Sequence, residues 1–114
     1  QLLKQSLDLF PSSTRKVIFF VPYHHYNQPA KGSIEMANWN ECKDRITNIV
    51  KKYDNSSVLD FMKHSSITLK DENYWDSLHY RVEIATELSK QIGAFVRGQE
   101  LAKTDYDILY DYRY

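Results

Sequence analysis

The residues most able to do chemistry lie in one run, Tyr74-Trp75-Asp76-Ser77-Leu78-His79-Tyr80. An aspartate and a histidine three apart let the carboxylate fold back onto the imidazole and hold it in one tautomer. That pairing is two of the three parts of a serine-hydrolase triad. The third part is missing from the motifs. No Gly-x-Ser-x-Gly elbow occurs, and the Gly32-Ser33 pair precedes a helix and lacks an adjoining aspartate. His79 and Asp76 are therefore the candidate catalytic residues, a base and its orienting acid without a nucleophile. A rival reading of Asp76 is an N-cap for the last helix.

A second group is Tyr23-His24-His25. It follows an apolar run, at a strand end where the ligand-contacting loops of α/β sheets gather. Tyr23 and His24 are taken as substrate contacts, with Trp75 as a wall shielding the dyad. The alternative for His24 and His25 is a pair of loop histidines with hydrogen-bonded rings. His24, His25 and His64 with a carboxylate would offer metal-binding imidazoles. Their spacing is irregular and no His-x-x-x-His stands on a helix, so no metal is expected.

The elements that must position these groups are legible from periodicity. Leu2, Leu3, Leu7 and Phe10 recur at helical spacing, and Pro11 stops them. Residues 16–21 form a continuous apolar, β-branched and aromatic run, as in a strand buried on both faces. A loop over 23–33 leads to a helix from Ile34, with Trp39, Cys42, Ile46, Ile49, Val50 and Tyr53 on one stripe. That stripe makes Cys42 a buried thiol. Asp54-Asn55-Ser56 breaks the helix, and residues 57–61 read as a second strand ending near Asp60. A loop over 62–76 precedes a last helix from Ser77, with Leu78, Val82, Ala85, Leu88, Ile92 and Phe95 on its face. Gly93 or Gly98 ends it. The tyrosine- and aspartate-rich tail, 99–114, is expected to dock as a short helix or stay mobile.

The order helix, strand, helix, strand, helix implies an α/β fold with a parallel sheet. Two short strands make a poor sheet, and the open edge beside Val17–Val21 is a pairing hazard. The expectation is thus the C-terminal part of a larger α/β domain over residues 1–98, followed by the tail.

Composition narrows the classes. The chain has 114 residues, 42% hydrophobic and 26% charged, with formal net charge +0 and pI near 7.1. That suits one globular domain and argues against nucleic acid as a partner, since no basic stripe exists to release counterions. One cysteine excludes an internal disulfide and a cysteine-based zinc cluster. The longest apolar run, Val17 to Pro22, is strand-sized, so no membrane span is expected.

Taken together, the strand before Pro22-Tyr23-His24, the helix carrying Trp39, the strand before Asp60-Phe61, and the Tyr74–Tyr80 run resemble the C-terminal half of the SGNH hydrolases, or GDSL esterases, over roughly residues 16–96. The likeness is greatest to the bacterial envelope-associated branch, some members of which handle acyl groups on polysaccharides. The resemblance implies a three-layer α/β/α, flavodoxin-like domain with a parallel sheet. It implies acyl-ester hydrolysis or O-acyl transfer, Asp76 and His79 as triad acid and base, and no cofactor. It also implies a location in the cell envelope or periplasm. The serine and oxyanion hole would come from an upstream segment, and this segment alone would lack esterase activity. Expected partners are an acyl ester, a carbohydrate where the acyl group sits on one, and a second copy through the open edge and aromatic tail. The rival is a non-enzymatic α/β scaffold or carbohydrate-binding module in which Asp76 is only a cap.

Overall fold

Ser33 shows how locally the sequence sets this fold. Its hydroxyl accepts from the Met36 N–H at 3.1 Å, directly after Gly32 takes φ +79°. An N-cap of this kind starts the helix α2, Ile34–Val50. The computed structural model describes residues 2–114. The other elements are α1, Leu2–Asp8, and α3, Val82–Val96, with the strands β1, Lys16–Phe20, β2, Ser56–Asp60, and β3, Asp107–Asp111.

The protein is an α/β fold with one three-stranded mixed sheet, ordered β1-β2-β3. β1 and β2 are parallel, with Lys16 opposite Ser56 and Phe20 opposite Asp60. β3 runs antiparallel to β2. The expected all-parallel sheet is therefore corrected to a mixed one, and the tail is a strand rather than a docked helix or a mobile end. Leu109 and Tyr110 pack on the core of Leu7, Val50 and Val58, whereas Ile108 stays exposed. A register shift between Val58 and Leu59 bends the pairing.

The chain forms two compact units. One comprises the chain up to Phe20, Pro29–Asp60 and Asp107–Tyr114, and holds the sheet with α1 and α2. Its helix α2 buries Thr47 and Val50, while Ile46 and Ile49 pack at the margin. Cys42 is exposed, not buried as its stripe suggested. The covered face follows Lys43, Ile46, Thr47 and Val50, one residue round the helix from Cys42. Lys43 Nζ donates to Asp60 Oδ2 at 2.7 Å, pairing the aspartate that ends β2. Asp111, at the end of β3, accepts from Ser57 Oγ and from the Arg113 guanidinium. Burial raises its pKa, but these donors outweigh that and leave it lowered.

The other unit comprises Val21–Gln28 and Phe61–Tyr106, and holds α3. Ile84, Leu88, Gln91, Ala94 and Phe95 are the buried residues of α3. Gly98 ends the helix at φ +69°. Its N–H donates to Phe95 O, and the Gln99 N–H donates to Ala94 O, a Schellman arrangement. Beyond it, the buried side chains Gln91 and Asp105 bond reciprocally, Nε2 to Oδ2 at 2.7 Å and the Asp105 N–H to Oε1 at 2.9 Å. Ser66 Oγ donates to the other Asp105 oxygen at 2.7 Å. This network satisfies the polar groups of a buried aspartate, which would otherwise be costly. Among the described residues no helix is long and apolar enough to cross a membrane.

Candidate functional site

Every residue of the Tyr74–Tyr80 run belongs to the second unit, where the run folds into a closed loop rather than the start of a helix. Tyr74 and Tyr80 form an antiparallel bridge. The Trp75 N–H donates to His79 O, and the Arg81 N–H to Asn73 O, both at 2.8 Å. Those bonds hold Arg81 extended, so α3 begins at Val82 and not near Ser77. Val82 and Leu78, expected on the apolar face, are exposed.

Asp76 consequently does not cap α3, whose N-cap is Arg81 without a side-chain bond. Asp76 caps its own turn instead. Its Oδ1 accepts from the N–H groups of Leu78 and His79, each at 2.8 Å. Its Oδ2 lies 2.7 Å from His79 Nδ1. The two backbone donors, Leu78 first and His79 second, and then the imidazole, pull the Asp76 pKa down to about 2. An ionised carboxylate can only accept, so His79 carries its proton on Nδ1. Among the described residues nothing bonds His79 Nε2. The result is an imidazole with an oriented, available lone pair, as a general base requires. The His79 and Asp76 side chains are 74% and 57% exposed.

His24 has the opposite wiring. Its Nδ1 accepts from the Tyr26 N–H at 3.1 Å, so the proton sits on Nε2, which donates to Asp71 Oδ1 at 2.7 Å. Both nitrogens are engaged and the ring is buried among His25, Tyr26 and Tyr74, with centroids 4.5, 4.9 and 5.1 Å away. Ligand atoms of His24, His25 and Asp71 lie within 4.8 Å of one another, and His64 meets His25 edge-on at 5.9 Å. A metal on His24 Nε2 would need the proton moved to Nδ1, where the Tyr26 amide proton already points. The tautomer thus opposes a metal there.

No family model, curated protein or solved structure matches this chain.

The loop carrying His79 is tied to the His24 segment by two further bonds. Asn27 Nδ2 donates to Ser77 O at 2.6 Å, and the Tyr74 hydroxyl donates to Pro22 O at 2.6 Å. Burial, and to a lesser degree Tyr80, raises the Tyr74 pKa to about 12, so that hydroxyl keeps its proton. A cleft of about 260 Å³ opens beside these anchors, lined by His24, Tyr26, Asp71, Tyr74, Trp75, Asp76 and Ser77. Of the sequence-predicted contacts, His24 and Trp75 meet there. Tyr23 is not among the lining residues, and its carbonyl accepts from Gln28 Nε2. Sequence reasoning missed Asp71, Tyr26 and Asn27. Asp71 falls in the loop expected over 62–76, and its partner His24 is 47 residues away, beyond any local pattern.

Proposed function

We propose that this chain supplies the base half of an acyl-transfer site, in which His79 activates a serine and Asp76 orients and stabilises the imidazolium. The observation that carries the reading is the 2.7 Å contact from His79 Nδ1 to a carboxylate clamped by two backbone amides, with Nε2 left for chemistry. In this reading Nε2 removes the proton from a serine hydroxyl as its oxygen attacks an ester carbonyl. The imidazolium then returns that proton to the departing alkoxide. The acyl-serine passes its acyl group to water or to a sugar hydroxyl by the same steps with His79 again as base.

The serine and oxyanion hole belong to another segment of the protein. β1 and β2 are then the later strands of a flavodoxin-like, three-layer α/β/α sheet of the SGNH type, and the unpaired edge of β1 is where earlier strands join. The exposure of His79 favours this over a self-contained site, because a base that awaits a partner surface must stay uncovered.

The test is fluorophosphonate labelling of the protein that carries this chain, followed by digestion and mass spectrometry, beside His79→Ala. One labelled serine, lost in the variant, supports the dyad as a triad half. No adduct in the folded wild type leaves Asp76–His79 as a structural pair in a binding module.

A further inference from the structure

The cleft beside the dyad has a composition that the base chemistry alone does not use. Two carboxylates line it, Asp71 and Asp76, and no lysine or arginine does. Asp71 is 79% exposed, and among the described residues its side chain bonds His24 Nε2–H alone. The rings of Tyr26 and Trp75 share the lining and are 78% and 71% exposed. Tyr26, on the His25–Asn27 turn, and Trp75, on the Tyr74–Tyr80 loop, thus forgo the burial that large aromatic side chains normally seek.

The indole already shows its preference: the Arg81 guanidinium stacks over Trp75 at 3.9 Å. That contact supplies one positive charge against two negative ones, and Arg81 itself faces a separate hollow with Glu72 and Glu83. The cleft is also small. Pockets that enclose a drug-sized ligand run to about 300–1,000 Å³, so about 260 Å³ suits a single headgroup rather than a chain of sugar rings.

We propose that the cleft lined by Tyr26, Trp75, Asp71 and Asp76 binds an alkylated ammonium group, held by aromatic faces and flanking carboxylates. Aromatic rings attract such cations through their quadrupole while the alkyl shell avoids the desolvation cost of a bare ammonium. Where the dyad reading holds, this names the substrate class, an ester with a cationic headgroup on its alcohol or acyl side. The binding itself does not depend on turnover.

The experiment is a titration of the whole protein carrying this chain, labelled with 5-fluorotryptophan, with tetramethylammonium chloride followed by 19F NMR. Sodium chloride at matched ionic strength is the control, and Trp75→Phe assigns the resonance. The expected result is a saturable shift of Trp75 that the sodium salt does not give. Affinity should fall at least about fivefold in Tyr26→Leu. A similar fall is expected in Asp71→Asn, which keeps an acceptor for His24 while removing the charge. Absence of a saturable shift, an equal shift with sodium, or saturation by N-acetylglucosamine in place of the cation would each overturn the inference. Serine labelling reports on the dyad separately, so a bound cation without a labelled serine retires the acyl-transfer reading alone, and the reverse retires the cleft alone.

Discussion

Two aspartate–histidine pairs stand in one unit of this protein with nearly the same contact distance and opposite consequences. In His24–Asp71 the imidazole is buried and the carboxylate exposed, at 6% and 79%. A backbone N–H occupies Nδ1, so the ring's one N–H, on Nε2, donates to the carboxylate and the ring has nothing left to offer. In Asp76–His79 the backbone N–H groups go to the carboxylate instead. The imidazole then donates its Nδ1–H to the aspartate as a hydrogen bond and keeps the lone pair on Nε2. Whether a histidine ring is fully engaged or keeps an open lone pair is decided here by which partner the neighbouring amides address, not by the presence of an acid beside it.

The sharpest way to break the comparison is substitution at both histidines. His79→Ala should lower serine labelling by about 10³-fold or more, the scale of losing a general base, and leave stability within about 0.5 kcal/mol, as befits an exposed site. His24→Ala should do the reverse in kind. It removes a buried ring and two hydrogen bonds and should cost roughly 2 kcal/mol, read as a lower denaturant midpoint. If His79→Ala proved the more destabilising of the two, the functional contrast would collapse.

The tautomers can be read directly. Histidine 15N spectra at neutral pH should show His24 protonated on Nε2 and His79 on Nδ1. Matching tautomers would refute the wiring described above.

Acid sharpens the contrast further. The folded pKa of Asp76 lies below its ordinary value, at about 2. The stability its ionisation gives is therefore present above the usual carboxylate range, near pH 4. It is lost as pH falls through about 2. The amide signals of Leu78 and His79 should shift with that low midpoint, and a midpoint near 4 would show the clamp to be absent. The smallest effect is expected at Asn27→Ala, which frees Ser77 O. It should cost no more than about 1 kcal/mol and slow labelling only a few-fold.

Much of the scaffold was legible because its signals are local. The run at 16–21 contains β1, the loop over 23–33 ends where α2 begins at Ile34, and Gly98, one of two candidate glycines, ends α3. The Asp76–His79 contact was readable for the same reason, a spacing of three. What escaped depends on distant partners. β3 exists because β2 offers it an edge, and its own tyrosines and aspartates carry no strong strand signature. The helix start was misplaced because the Tyr74–Tyr80 bridge outcompetes helix propensity with bonds that a helical pattern does not reveal. Cys42 was misjudged by a single step around a helix, the resolution limit of a periodicity argument.

The unit that carries the cleft is spliced from two stretches of chain, Val21–Gln28 and Phe61–Tyr106. A gene fragment encoding only the longer stretch would keep Asp76 and His79 but lose the Pro22 carbonyl, His24, Tyr26 and Asn27 that moor and complete their loop. Grafting the site onto another scaffold, or recombining it as a cassette, would therefore have to carry both pieces at once. Crossovers between residues 28 and 61 separate the Asp76–His79 pair from its moorings.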